Sequence, residues 1–352
     1  MNQRAGQSRK AVLFGVLIGV LLSAAVATVL AALLTMDVTG KKGSGLGKQF
    51  QYDIKAQGQI DPALIGYEQV HVFESGFERP MSLAVGQDGR VYVAGDRAVR
   101  RFDNKGQLTQ EVTLTAEAWC VAVDDAGLLY VALQDHVEVF SGSGEQKATW
   151  AGLGDKAVLT SITLAGDDVF VADAGQRLIW RYNLSGEVIG RIAEKDIERN
   201  INALVVPSPY LDVAMGADGL LRVTDPGRRQ IKAFTRKGDM EFAWGTYGNA
   251  IEAFCGCCNP ANFALLPDEQ GFVTCEKGLT RVKIYDIEGR FVTVVAGPEQ
   301  FAEHARAVSI SATQIERWAL DVAADAAGRV LVLDPVTAKV HVFVSLQNKN
   351  NH

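Results

Sequence analysis

The sequence predicts an all-β fold, a six-bladed β-propeller preceded by one N-terminal transmembrane helix, and three observations predict it. A unit of about forty residues recurs beyond residue 60, the period at which blades of a propeller repeat. Each unit reads as short alternating strands separated by Asp/Gly turns, which points to an all-β architecture. The last unit stops after three strands, while "YEQVHVF" at 67–73 stands as a spare strand before the first unit. Joining the two closes a ring and removes an exposed sheet edge.

In chain order, residues 1–10 form a basic start with Arg4, Arg9 and Lys10. Residues 11–36 carry no charge and are mostly Ala, Val, Leu and Gly, longer than the roughly 20 residues that a helix needs to cross a bilayer. Ala25-Val26-Ala27 offers a cleavage site of the small-residue kind, but the apolar run continues through Leu30, Leu33 and Leu34. The segment therefore reads as an uncleaved signal-anchor. A short basic start stays in the cytoplasm and places the remainder outside, although Lys41, Lys42 and Lys48 nearly balance the charge bias. "SRKAVL" at 8–13 carries Lys10 where a twin-arginine signal has its second arginine. Residues 37–60 include "GKKGSGLGK" and read as a flexible linker.

Six of the 35 basic and one of the 41 acidic residues fall within the first 48, leaving a net charge of −11 on the rest. A part that acidic is a poor match for nucleic acid. Residues 61–346 hold the six units and 347–352 a polar tail. The units run over 83–108, 121–146, 162–188, 213–240, 263–291 and 322–344.

Aligning the units turns sequence into position. The first strand of a blade lines the central channel, with side chains alternating. One column, Ala84, Ala122, Thr163, Ala214, Ala264 and Ala323, is almost entirely small, as a crowded channel wall requires. Two residues earlier stand Ser82, Cys120, Ser161, Asp212, Asn262 and Asp321, a polar ring at the start of the innermost strands. Cys120, Asp212, Asn262 and Asp321 are the candidate cofactor-binding residues of this ring. For the two aspartates, capping of backbone amides in the neighbouring blade competes with binding.

Three of the five cysteines fall in "FCGCCNP" at 254–260, just before the first strand of the fifth blade. Second strands end "VAD" at Asp173, "VTD" at Asp225 and "VLD" at Asp334, where the fifth reads "VTC" and Cys275 replaces the acid. The alignment thus expects all five cysteines at one end of the channel. Cys255, Cys257, Cys258 and Cys275 are the candidate metal ligands, in a C-x-C-C-x16-C spacing. Four soft thiolates suit zinc or an iron–sulfur cluster, and a subset suits a copper ion. Disulfides are the competing reading, since an exported location favours them. Cys120 alone is a small wall residue.

Other residues have plainer expectations. Glu276 and Lys277 read as a solvated ion pair, Arg228 and Arg229 as exposed loop charges, and Tyr210 and Trp244 as aromatic packing between blades. "PEQFAEHARAV" at 298–308 reads as a short helix bearing His304.

The motif "DGxxYVA…VxxF…xG", over residues 67–344, resembles the NHL-repeat family of β-propellers. "FCGCCNP" with "VTCEKGLTRVKIY" is similar to a membrane-anchored bacterial subgroup of that family. The resemblance implies the fold and a bacterial membrane anchor; with the basic start it leads to the expectation of a bacterial inner-membrane, single-pass protein with the propeller on the periplasmic side, which the tether and acidic surface would hold beside a membrane or periplasmic protein partner. It implies no activity, because the family spans scaffolds, sensors and some lyases. The first functional expectation is soft-metal or iron–sulfur binding at the channel mouth for electron transfer or metal handling. The alternative is a protein-interaction scaffold or sensor stiffened by disulfides. Lyase chemistry comes last, because none of His71, His136, His304, His341 and His352 falls in the innermost-strand columns. No G-x-S-x-G elbow or Gly-rich phosphate loop is present.

Overall fold

A computed structural model describes residues 3–35, 58–303 and 319–349. It divides into two units, an N-terminal one and a larger one that begins at residue 54. The first contains helix α1 (Gln3–Thr35), in which Phe14–Ala31 has a mean hydropathy of 2.5. That span is long and apolar enough to cross a membrane. No charged side chain occurs between Ala11 and Met36, so nothing in it opposes burial in lipid.

The second unit is the propeller. Its six four-stranded antiparallel sheets are β2–β5 (80–113), β6–β9 (120–149), β10–β13 (159–192), β14–β17 (213–244), β18–β21 (262–296), and β22–β24 (321–345) joined by β1 (67–74). The spare strand does close the ring. β1 (Tyr67–Glu74) pairs with β24 (Lys339–Ser345), Glu68 facing Val344 and Phe73 facing Val340. A short helix, α2 (Leu346–Lys349), follows.

Each interface between blades has its own apolar core. Blades two and three share Val171, Trp150 and Tyr182, and blades six and one share Phe77, Leu331 and Val342. The interface of blades four and five is the aromatic one: Trp244, Phe254, Phe263, Phe272 and Tyr285, with Trp244 4.9 Å from Phe272 and 5.0 Å from Tyr285 between ring centroids. Burying this much ring area is a large apolar contribution with directional edge contacts. The tight turns are part of that packing. Gly289 has φ +79°, and a Cβ there would sit 2.4 Å from the Trp244 ring, so a residue without a side chain is needed twice over.

The first strands, among them β2 (Pro80–Val85), β6 (Cys120–Val123), β10 (Leu159–Ala165), β18 (Asn262–Leu265) and β22 (Asp321–Ala324), surround a cavity of ≈ 600 Å³. All six residues of the small column line it, and so do all six of the polar ring. The segment 304–318, with His304 and most of the helix expected over 298–308, lies outside the described residues, as do the linker lysines and His352.

Candidate functional site: the channel ring and the cysteine loop

The ring is built from stitches between neighbouring blades. Asp212 of blade four accepts the amide of Phe263 in blade five at 2.7 Å through Oδ2 and its neighbour Val213 at 2.8 Å through Oδ1. Asp321 of blade six accepts Leu83 of blade one at 2.7 Å and Val322 at 2.9 Å. Asn262 of blade five donates to the Leu320 carbonyl of blade six at 2.8 Å. Ser161 of blade three exchanges bonds of 3.3 and 3.4 Å with Val213. The capping role expected for the aspartates is therefore present.

The same two carboxyls stand in low-dielectric surroundings. Burial pushes Asp212 up to about 6, against the bonds from Ser161, Phe263 and Val213. Burial, and then repulsion from Asp212, pushes Asp321 up to about 7. Both folded values lie above the unfolded one, so the stability linked to their neutral forms is present in acid. It is lost as pH rises through 6 to 7. Cys120 completes the ring as a buried thiol, raised well above its usual range by burial and then by the two aspartates.

Beyond the ring the cavity extends to Asp124, Asp125 and Gly166 in the turns after the first strands. Among the described residues its lining contains four aspartates and no Lys, Arg or His. A second, smaller cavity of ≈ 40 Å³ shares Thr160, Asn262 and Asp321 with the first and adds Trp119, Pro209, Tyr210 and Pro335. The ring thus divides a wide chamber from a narrow one.

The cysteine loop sits before β18 and is anchored from beneath. Phe254 is fully buried in the aromatic interface. Glu276, also fully buried, accepts the Cys255 amide at 3.4 Å and pairs with Lys283 at 2.9 Å and Arg281 at 2.5 Å. Lys283 in turn donates to the carbonyls of Ile251 and Ala253 at 2.9 and 2.8 Å. Burial pulls its ammonium down to about 8, and Glu276 opposes the shift. Asn259 bridges the loop to the next hairpin, taking the Lys277 amide at 2.6 Å and donating to the carbonyls of Lys277 and Cys255. Arg229 donates to the Gly256 carbonyl at 3.0 Å.

These contacts correct two expectations. Glu276 is not in a solvated pair with Lys277, whose ammonium instead lies 4.8 Å over the Tyr210 ring. Arg229 is not a loose loop charge but a tie to the cysteine loop; Arg228 pairs with Asp225 at 2.8 Å. The substitution of Cys275 for an acid also resolves differently. Asp173 accepts the Val158 amide and Trp180, and Asp225 accepts the Val205 amide and pairs with Lys232. In blade five the same task, holding the incoming loop and a donor seven residues on, belongs to Glu276 with Cys255 and Lys283. The acid has moved one position along, and that seven-residue spacing was the sequence signal that would have found it.

The sulfurs share an end of the propeller without sharing a point. Cys275, at the end of β19 (Phe272–Cys275), faces Asn262 in register and packs in the core of blades five and six with Val282 and Leu320. Burial, and then Asp321, Asp212 and Glu276, raise its thiol well above the usual range. Cys255 is buried, its Sγ 3.6 Å from the side-chain oxygen Oδ1 of Asn249. Only Cys257 and Cys258 touch, at 3.2 Å between sulfurs. All five cysteines are unbonded to one another. Among the described residues no three His, Cys, Asp or Glu side chains converge on a point where a metal ion could sit. Cys255, Cys257 and Cys258 thus stand on the loop and Cys275 on the end of β19, with the Cys257–Cys258 contact within the loop.

No protein-family model matches the chain, and no curated protein matches it in sequence. Solved structures do match. A streptogramin B lyase aligns at 13% identity over 81% of this chain and 100% of its own, with a TM-score of 0.56. A protein of unknown function from Bacteroides thetaiotaomicron aligns at 14% identity over 79% of this chain and 72% of its own, TM-score 0.56. A catalytically inactive virginiamycin B lyase from Staphylococcus aureus, with quinupristin, aligns at 14% identity over 80% of this chain and 100% of its own, TM-score 0.53. At these identities the likeness is one of fold: this chain is a six-bladed β-propeller with an N-terminal helix able to span a membrane.

Proposed function

We propose that this protein is a membrane-tethered binding or sensor propeller, on the periplasmic side, whose channel takes a small organic cation. One observation carries the reading: among the described residues, a ≈ 600 Å³ chamber is lined by four aspartates and no basic side chain. That volume falls within the range of small-molecule sites, about 300–1,000 Å³. A one-signed lining also focuses potential on a cation and repels an anion. Asp212, Asn262 and Asp321, with Ser82, Ser161 and Cys120, form the polar end of the chamber against which an ammonium and its hydrogen bonds would rest. The S. aureus neighbour with quinupristin is a propeller of this fold that accompanies a small molecule. Lyase chemistry is not carried over, because at 14% identity that neighbour shares the fold alone.

The competing reading is a cysteine-held metal ion or iron–sulfur cluster serving electron transfer or metal handling. It is the weaker one, since Cys275 is sealed between blades five and six and Cys255 is buried against Asn249. Stoichiometric Fe, Zn or Cu in purified protein, lost in Cys258→Ser, would restore it.

The channel reading is tested by calorimetry on the full chain in detergent, with primary amines and carboxylates of matched size. Ionised aspartates are needed to hold a cation, and the two ring carboxyls titrate at about 6 and about 7. Amine binding should therefore strengthen from pH 5.5 to pH 8. Asp321→Asn should weaken it about tenfold, roughly 1.4 kcal/mol, and flatten the upper part of that pH profile. Binding of carboxylates in preference to amines, or no binding by either, overturns the reading.

A further inference from the structure

The cysteine loop contains chemistry that the channel does not use. Its two contacting sulfurs differ in access: Cys257 is exposed and Cys258 is buried, with 3.2 Å between them. The remaining thiols are buried on other elements or against other partners. Cys120 and Cys275 are buried in the ring and in the core of blades five and six, and Cys255 is buried against Asn249. The loop is also held firmly on both sides of the pair, by Arg229 on Gly256 and by the Asn259 bridge to Lys277. An exposed sulfur with a second one waiting behind it is the arrangement that thiol–disulfide exchange requires, one to attack and one to resolve.

We propose that Cys257 and Cys258 form a thiol–disulfide exchange site for small accessible disulfides. In the first step the Cys257 sulfur, as thiolate, bonds to one sulfur of the substrate disulfide. The substrate S–S bond breaks, and the departing thiolate takes up the proton that Cys257 gave up. In the second step the Cys258 sulfur attacks Cys257 Sγ and displaces the other half of the substrate as a thiol. Two protein thiols are thereby oxidised to a vicinal disulfide, and one substrate disulfide is reduced to two thiols. A dithiol reductant reverses the sequence. The order follows from access, since only Cys257 can be reached from solvent.

The test uses the full chain in detergent, reduced and then exposed to glutathione disulfide, with peptide mapping by mass spectrometry. Wild type should yield a peptide in which Cys257 and Cys258 are joined, without retained glutathione, and dithiothreitol should return both thiols. Cys258→Ser, or Cys258→Ala if the serine disturbs folding, should trap one glutathione on Cys257. Cys257→Ser should give neither product. Cys255→Ser should behave as wild type. Glutathione persisting on wild-type Cys257, a bridge from Cys257 to Cys255, or no reaction in protein with a native thermal melt would each overturn the proposal. None of these outcomes depends on amine binding, so this site and the channel stand or fall separately.

Discussion

Glu276 shows what a single residue carries here. Its carboxylate pairs with two buried cations, Arg281 and Lys283, and it also takes the Cys255 amide. Removing a partner from such a cluster leaves uncompensated charge in a low dielectric, which costs about 3–5 kcal/mol. Glu276→Gln should lower the stability of the propeller by that amount in urea unfolding followed by tryptophan fluorescence, Trp244 being packed on Phe254 of the same loop. Glu252, whose side chain has no such part, is the control. The role was hidden in the sequence because repeats align by strand, and blade five places its acid one residue past the strand end. The ring residues were legible for the opposite reason. Ser82, Cys120, Ser161, Asp212, Asn262 and Asp321 share a register with six small residues two positions on, and period-2 alternation sends both sets to the same wall.

At the scale of elements, the hairpin turns and the inter-blade loops decide how blades meet. Gly289 lies over Trp244 of the preceding blade, as Gly186 lies over Trp150 and Gly106 over Phe73. Gly289→Ala combines positive-φ strain with a clash against an indole packed on Phe254, Phe272 and Tyr285. We expect it to lower the melting temperature and to enhance or shift tryptophan emission, whereas Gly219→Ala, with open space around its Cβ, should show the φ strain alone. Phe254 is the corresponding anchor of the cysteine loop: Phe254→Ala should cost about 3–5 kcal/mol and raise the reactivity of Cys255 and Cys258 towards iodoacetamide. Strand order and blade number could be read from repetition because each blade repeats the same hydrogen-bonding problem. The spatial separation of the sulfurs could not, since closeness along the chain says nothing about which way successive side chains point. Cys275 and the loop cysteines reach the same end of the propeller on different elements, and only packing decides that Cys275 turns into the core.

For the whole molecule, closure is the property that no single blade has. Each blade leans on two neighbours through its own apolar core, and the ring leaves no interface unfilled. Deleting residues 67–74 should therefore do more than remove one strand. It bares the hydrogen-bonding edge of β24 and strips apolar cover from Val340 and Val342, so the truncated chain should associate through that edge. Size-exclusion chromatography with light scattering reads this directly, and a truncated chain that stays monodisperse with a native melt would contradict it. The pairing of β1 with β24 also has a bearing on synthesis. A ribosome releases the first strand long before it makes the last, so β1 must wait unpartnered until nearly the whole chain has emerged. Blade six can be finished only once β24 has been made; a chain cut short before it keeps two open sheet edges.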